Sequence, residues 1–210
     1  MLAEKGELKA QNKNLYVASL VAQLGSFMMG YTLAYTSPAI PDMEDRGVLK
    51  TTDQISWFGS LMAIGAIFGG PIAGFFVGNY GRKVAMMMCF LPFVVGYGLI
   101  SSLDNIATLY FGRILTDVGA GMVSFSTPVY IAELSSLDLR GMLVGVSHPF
   151  IGGGMLPVNA LGCDDGSLGV LVLWGVCFLS TIFVALCVPE TKGKSLEEIT
   201  KDFNRYNRHL

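Results

Sequence analysis

The apolar residues of this chain are gathered into six blocks of about twenty, separated by short polar segments. A helix of about 20 apolar residues is long enough to cross the roughly 30 Å hydrocarbon core of a bilayer. Only 14% of the 210 residues are charged, whereas soluble domains carry about 25%. We therefore predict an all-α integral membrane protein with about six transmembrane helices. The predicted spans are Leu15–Tyr35, Ile55–Val77, Val84–Ser102, Ile106–Ile131, Leu143–Leu161 and Leu168–Val188.

The basic residues are divided unevenly between the two sides of this predicted topology. Eleven of the 14 lysines and arginines fall in the tails and the even-numbered loops, whereas only Arg46 and Lys50 fall in the other loops. Cytoplasmic loops carry an excess of basic residues, so both termini are predicted to be cytoplasmic. The first block follows a basic stretch, as in a signal peptide, but its length and the five later blocks favour a spanning helix.

The rest of the composition excludes several classes of function. The net charge is −2 and no basic run occurs, so no nucleic-acid-binding surface is predicted. The four cysteines form no CxxC pair, and His148 and His209 are too far apart in sequence for a zinc motif. Neither a nucleophile–base pair nor a nucleotide-binding loop is present in the sequence. We therefore expect no enzymatic activity, metal or cofactor.

Glycines recur at helical spacing in the second span. Gly70, Gly74 and Gly78 repeat every four residues, with Gly65 and Gly69 one position away. Small residues at this spacing let helix backbones approach closely in lipid. The pattern predicts a tight helix–helix contact.

The fifth span contains residues that disfavour a straight helix. These are Pro149, Pro157 and the run Gly152–Gly154. Proline removes a backbone donor from the helical ladder. This span is therefore predicted to be bent or locally broken, as in helices that line cavities in membrane proteins.

Two charged residues lie inside the fourth span, where charge is costly. Arg113 and Asp117 are four residues apart and share one face of the predicted helix. Each charge costs on the order of 3 kcal/mol at the bilayer centre, and pairing across one turn reduces that cost. Two interpretations stay open, a self-neutralising structural pair and part of a substrate or proton path. Glu133, at the inner end of the same helix, fits a solvated helix-end acid.

Short motifs lie in order near the predicted ends of the spans. They are Gly81-Arg82-Lys83, Gly112-Arg113, Pro128–Glu133, Arg140-Gly141 and Pro189–Ile199. Together these motifs resemble the sugar-porter branch of the major facilitator superfamily. Two further segments, Ala34–Pro38 and Ser56–Ser60, are most similar to class III facilitative glucose transporters and insect trehalose transporters.

The resemblance implies a fold of twelve helices in two halves, with a sugar held between them. The first five spans match helices 1–5, and the sixth, with the motif at Pro189, matches helix 12. The chain is thus expected to be a shortened form that lacks helices 6–11. Its predicted divisions are a cytoplasmic tail at 1–14, a five-helix partial N-terminal half at 15–161, an extracytoplasmic loop at 162–167, a last helix at 168–188 and a cytoplasmic tail at 189–210.

The resemblance also implies roles for individual residues. A cytoplasmic ion-pair network that closes the inner gate would contain Arg82, Glu133, Arg140 and Glu190. His148 stands where the family usually has a sugar-contacting glutamine, and Asp117 stands where a glycine is usual. A further departure is that Gly78-Asn79 replaces the family's Asp-Arg pair.

The implied function is transport of a hexose or trehalose by facilitated diffusion with alternating access. A first alternative is proton-coupled symport, which the Arg113–Asp117 pair and His148 motivate. A second is a non-transporting truncated protein that self-associates or pairs with a full-length transporter. In each case the lipid bilayer is a partner, and the protein is expected in the plasma membrane or an endolysosomal membrane.

Overall fold

A computed structural model describes residues 2–102, 105–135, 137–161 and 175, and within these residues the chain is helical without any strand. Six helices follow one another within residues 2–161. They are α1 (Leu2–Asp45), α2 (Thr52–Tyr80), α3 (Arg82–Ser102), α4 (Ile106–Leu134), α5 (Leu137–Gly145) and α6 (Ser147–Leu161).

Polar side chains and one glycine determine where several of these helices begin or end. Thr51 precedes α2, where its hydroxyl accepts a hydrogen bond from Gln54 N–H and the Gln54 side chain accepts one from Thr51 N–H, forming a capping box. Asn105 caps α4 by accepting from Ala107 N–H at 3.2 Å. Gly81 alone separates α2 from α3, and its φ of 96° favours glycine.

Among the described residues, four helical segments are long and apolar enough to cross a membrane, namely Thr52–Tyr80, Arg82–Ser102, Ile106–Leu134 and Leu139–Ala160. They contain or overlap the second to fifth predicted spans. The first predicted span, Leu15–Tyr35, lies inside the longer helix α1. The sixth, Leu168–Val188, lies outside the described residues, so the count of six stays a prediction. The all-α membrane fold class is confirmed.

Helix α4 lies at the centre of the described bundle. It packs against α1, α2 and α3, and α6 packs along α1. The outer side of α2, by contrast, exposes large apolar side chains such as Trp57, Ile67 and Phe68. Exposed apolar side chains over the length of a spanning helix suit contact with lipid tails.

The close approach of α2 to α4 uses only part of the predicted glycine pattern. A Cβ on Gly65 would lie 2.5 Å from Asp117 Cβ, and one on Gly69 would overlap the Val118 carbonyl oxygen. Around Gly70 and Gly78, by contrast, nothing in the described residues lies within 4 Å of such a Cβ. The predicted tight helix contact is therefore present at Gly65 and Gly69, whereas Gly74 meets only the Phe125 ring at 3.9 Å and Gly70 and Gly78 take no part among the described residues. A shift of one residue turns the face by about 100°, and the buried stripe of α2 contains Gly65 and Gly69.

The predicted irregularity in the fifth span lies at Val146, although Val146 N–H and Phe150 N–H still donate to carbonyls four residues earlier. Helix α5 ends at Gly145, and α6 begins at Ser147 with a single turn residue between them. Pro149 has no N–H to donate to the carbonyl of Gly145, four residues earlier. The run Gly152–Gly154 lies inside α6 and continues the helix. The interruption lies three residues before Pro149, whereas Pro157 lies inside α6 without interrupting it.

The contact between α1 and α6 depends on two glycines. A Cβ on Gly30 would overlap the carbonyl oxygen of Ile151, and one on Gly154 would overlap that of Phe27. Each glycine thus faces the backbone of the opposite helix. Backbone atoms cannot move aside as a flexible side chain can, so larger residues at these two positions must separate the helices.

The neighbouring glycines of α6 provide a matched test of this contact. We expect Gly154→Val to destabilise the protein by about 1–3 kcal/mol or more, because the side chain overpacks against the Phe27 backbone. Gly152→Val places the same residue in the same helix where nothing lies within 4 Å. Its thermal unfolding in detergent should stay close to that of the parent chain. Equal losses in the two variants would contradict the proposed close contact.

Candidate functional site

The two charged residues of α4 form a buried ion pair. Arg113 Nε lies 3.1 Å from Asp117 Oδ2, and both side chains are almost completely shielded from solvent. The two groups are poorly aligned for a hydrogen bond. Both carboxylate oxygens of Asp117 lack a hydrogen-bond donor among the described residues. The attraction between the two side chains is therefore mainly coulombic, in surroundings of low dielectric constant.

The guanidinium group of Arg113 also joins α4 to α1. Its Nη2 donates to Thr36 Oγ1 at 2.8 Å, and its Nη1 donates to the Thr32 carbonyl at 3.3 Å. The ring of Phe58, from α2, lies below the guanidinium carbon at 5.5 Å from its centroid. The cation is thus held by a carboxylate, two oxygens and an aromatic face from three helices.

Aromatic side chains pack beside this buried charge. Tyr97, from α3, makes edge contacts with the rings of Tyr31 and Tyr35 at centroid distances of 6.2 and 6.0 Å. Its hydroxyl lies 2.8 Å from Thr32 Oγ1, which itself donates to the Met28 carbonyl. Tyr97 is therefore the donor to Thr32, because the threonine hydroxyl has only one proton to give. These contacts connect α3 to the same turn of α1 that Arg113 contacts.

A second ion pair joins the start of α3 to the last turns of α4. Arg82 Nε and Nη2 donate to the two carboxylate oxygens of Glu133 at 2.6 and 2.7 Å. The side chains are 24% and 35% exposed, so the pair lies at the edge of the bundle. Arg140 is exposed on α5 and makes no ion pair within the described part of the chain. Glu190 lies outside the described residues.

His148 lies on an exposed face of α6. Gly152 and Asn159, which follow His148 by four and eleven residues, share that face. The adjacent face, with Ile151, Gly154 and Val158, packs towards α1. His148 is therefore separated from the buried Arg113–Asp117 pair, and the structure does not gather all the proposed residues into one site.

Several residues around the charge pair carried no clear signal in the sequence. Thr32 and Thr36 lie one turn apart in an apolar block, a spacing that could have marked a polar stripe on α1. Phe58 and Tyr97 look like ordinary apolar residues in the sequence. No local pattern indicates that the Phe58 ring approaches Arg113 or that the Tyr97 hydroxyl approaches Thr32. Gly65 leaves room for Asp117, and this contact depends on how α2 packs against α4.

Comparison with known proteins identifies the family. A family profile described as "Sugar (and other) transporter" matches residues 18–165, which is more than half of the chain. The chain belongs to the sugar transporter family. The apolar helices and the family together make it a multi-pass membrane protein.

Individual relatives agree with this assignment. The chain is 31% identical over 194 residues to the bovine solute carrier family 2, facilitated glucose transporter member 8. It is 37% identical over 155 residues to human member 6 and 31% identical over 178 residues to the facilitated trehalose transporter Tret1 of Aedes aegypti. These matches cover 85%, 72% and 83% of this chain but only 40%, 31% and 22% of those proteins.

A solved structure shows the same fold. The partially occluded, inward-open xylose transporter XylE of E. coli matches with a TM-score of 0.77 and 21% sequence identity. The match covers 92% of this chain and 55% of that one. The described helices are therefore arranged as in part of a major facilitator superfamily transporter.

Two Arg–Asp pairs with the same spacing allow the cost of burial to be measured. We expect Asp117→Asn to destabilise the protein by about 3–5 kcal/mol, because it leaves Arg113 buried without a counter-charge. Asp42→Asn breaks the matching pair with Arg46, whose side chains are 32% and 38% exposed. Its cost should be about 1 kcal/mol or less. Thermal unfolding in one detergent compares the two, and equal costs would contradict a role for burial.

Proposed function

We propose that this chain takes part in moving a sugar across a membrane by facilitated diffusion with alternating access. The observation that carries the proposal is membership of the sugar transporter family over residues 18–165. Relatives named as facilitated glucose and trehalose transporters support a hexose or trehalose as substrate. Because every relative named here is a transporter, we propose a transport role rather than an enzymatic one.

The proposed sidedness follows from the basic residues. Both termini would be cytoplasmic, and the Arg82–Glu133 pair would then lie at the cytoplasmic ends of α3 and α4. This bidentate pair would be the fixed part of an inner gate whose other proposed members are Arg140 and Glu190. Partly exposed ion pairs have small net energies, so such a gate can open and close without a large barrier. The membrane would be the plasma membrane or an endolysosomal membrane.

The exposed face of α6 is the proposed sugar-contacting surface. His148 supplies ring nitrogens that can donate and accept hydrogen bonds, and Gly152, one turn later on the same face, leaves space beside it. In a membrane protein, polar side chains on a spanning helix favour a cavity over lipid. A sugar ring, with hydroxyls around its rim, is suited to such a surface.

The charge pair supports uncoupled transport over symport. Arg113 and Asp117 lie one turn apart on α4, so a movement of α4 as a rigid body does not separate them. Charge neutralisation of this kind persists through the transport cycle without the uptake or release of a proton. Facilitated diffusion is therefore the preferred mechanism.

Proton-coupled symport is the second candidate, and one observation favours it. The carboxylate oxygens of Asp117 have no hydrogen-bond donor among the described residues, although they are buried. A carboxylate that lacks donors is less strongly held in its charged form than one that accepts several hydrogen bonds. Asp117 is therefore the residue through which coupling would operate.

Reconstitution of the purified 210-residue chain tests the transport proposal. We expect saturable uptake of labelled glucose or trehalose into liposomes, above that of protein-free liposomes and of labelled L-glucose. Facilitated diffusion predicts that a protonophore leaves this uptake unchanged, whereas symport predicts that uptake collapses. Uptake at the protein-free level would reject transport by this chain. It would favour a non-transporting protein that associates with itself or with a full-length transporter.

A substitution on α6 tests the proposed sugar contact. We expect His148→Ala to raise the KM for sugar by roughly 2–10-fold, because one hydrogen bond to a substrate hydroxyl contributes about 0.5–1.5 kcal/mol. Ser60→Ala is the matched control, since the Ser60 hydroxyl is exposed on α2 and donates to the Ser56 carbonyl of its own helix. The control should keep the parent KM. An unchanged KM in His148→Ala would exclude His148 from the sugar site.

A further inference from the structure

The interruption of the fifth span leaves the carbonyl of Leu143 without its helical donor. Helix α5 ends at Gly145, and its last helical bond runs from Val146 N–H to the Met142 carbonyl at 3.1 Å. The next bond of an unbroken helix would run from Ser147 N–H to the Leu143 carbonyl, and it would include Val146 in the helix. Val146 is instead a turn residue, and α6 begins at Ser147.

A side chain from α1 takes the place of the missing donor. Gln23 Nε2 donates to the Leu143 carbonyl oxygen at 3.1 Å. Gln23 is 1% exposed and Leu143 is 5% exposed, so the bond is shielded from water. A buried carbonyl without a donor is costly, and the amide nitrogen of Gln23 removes this cost. The amide oxygen of Gln23 has no hydrogen-bond partner among the described residues, so the donor is the end of the side chain that the fold uses.

Helix α1 also contacts the segment after the interruption, but in a different way. Helix α6 packs directly along α1 through Gly30 and Gly154, whereas α5 has no comparable backbone packing against α1 among the described residues. Gln23 precedes Gly30 on α1 as Leu143 precedes Gly154 on the fifth span, so the two run in parallel. A long side chain therefore bridges a wider gap before the interruption, and glycines permit direct contact after it.

We propose that α1 fixes the angle between α5 and α6, and that Gln23 is the positioning residue for α5. Helix α1 is unbroken from Leu2 to Asp45, so both segments are held against one continuous helix. A side chain that inserts into the helical hydrogen-bond ladder is an established cause of a kink. Without Gln23 Nε2, the Leu143 carbonyl recovers a donor only if Ser147 N–H returns to it, and that return changes the angle at Val146.

The positioning role has a consequence for the proposed transport cycle. Arg140, a proposed member of the inner gate, lies before Val146, and His148, the proposed sugar contact, lies after it. Gln23 would thus determine how these two residues are placed relative to each other. This consequence rests on the proposed function, whereas the positioning of α5 does not.

Distances between spin labels test the positioning role without a transport assay. Met142 on α5 and Ala160 on α6 are both exposed and lie on opposite sides of the interruption, so cysteines introduced there can carry the labels in a background without the native cysteines. Gln23→Met keeps an unbranched, flexible side chain and removes the donor. We expect the distribution of distances between the labels to shift or broaden relative to the parent chain. An unchanged distribution would overturn the proposal.

Thr127→Val is the matched control for this measurement. Thr127 Oγ1 donates from α4 to the Ala22 carbonyl at 3.5 Å, which is also a buried hydrogen bond between helices. Its acceptor precedes Gln23 by one residue but belongs to the unbroken helix α1. The control should keep the parent distances even if it loses stability. An equal change in the control would overturn a specific role for Gln23.

Gln23→Asn provides a second variant in case Gln23→Met does not fold. It keeps an amide group, but the side chain is one methylene shorter and therefore loses the contact with the Leu143 carbonyl. We expect the same change in the distances between the labels. Parent-like distances in this variant would again overturn the proposal.

Uptake kinetics test the link between Gln23 and the sugar contact. We expect Gln23→Met to raise the KM for sugar by roughly 2–10-fold, as His148→Ala does, because it misplaces the same hydrogen bond. The double variant should show no larger KM than the weaker-binding single variant, since Gln23 acts through His148. Thr127→Val should keep the parent KM. Effects that multiply in the double variant would overturn the link to His148.

The two kinds of measurement separate the two proposals. Absence of uptake by the parent chain would reject the transport proposal, and the spin-label distances would still decide whether Gln23 positions α5. Parent-like distances in both Gln23 variants would reject the positioning role, whatever the uptake assay shows.

Discussion

Arg113 places a permanent positive charge where solvent does not reach, and the described helices are organised around neutralising it. An uncompensated charge in such surroundings would cost several kcal/mol. Asp117 supplies the counter-charge from the same helix, Thr32 and Thr36 supply oxygens from α1, and Phe58 supplies an aromatic face from α2. The central position of α4 is thus an electrostatic requirement as well as a packing preference. Two of its three neighbouring helices, α1 and α2, supply groups that contact the cation.

The second constraint is that helix backbones must approach closely, and this approach also makes room for the buried charge pair. In lipid no hydrophobic force draws helices together, so contact depends on small residues and on polar groups between helices. Gly65 leaves the space that Asp117 occupies, which means that the charge pair and the α2–α4 contact depend on the same glycine. The α1–α6 contact depends in the same way on Gly30 and Gly154. Between these contacts, α1 is held both by Arg113 and by Gln23, so it joins the charged centre to the broken fifth span.

The functional proposal combines evidence of two different kinds. Family membership identifies the type of protein, and the relatives named as sugar transporters suggest the substrate. The geometry bears on mechanism, because an ion pair within one helix keeps its separation while that helix moves as a body. The exposed polar face of α6 and the ion pair at the start of α3 lie apart from this buried centre. The buried charge pair can therefore stay intact while the polar groups at the edge of the bundle change their contacts. Alternating access requires this combination.

The sequence by itself determined the environment, the helical class and the family. The length of the apolar blocks, the low content of charged residues and the order of the short motifs can all be read from the sequence alone. It also predicted a bent or locally broken fifth span, because that span contains Pro149, Pro157 and the run Gly152–Gly154. Only the tertiary structure decided which glycines meet another helix, because Gly65 and Gly70 both recur at helical spacing and differ only in the direction of the neighbouring helix. The same holds for Gln23 and Leu143, which are 120 residues apart. Contacts between distant segments depend on how whole helices pack, and no local pattern encodes that arrangement.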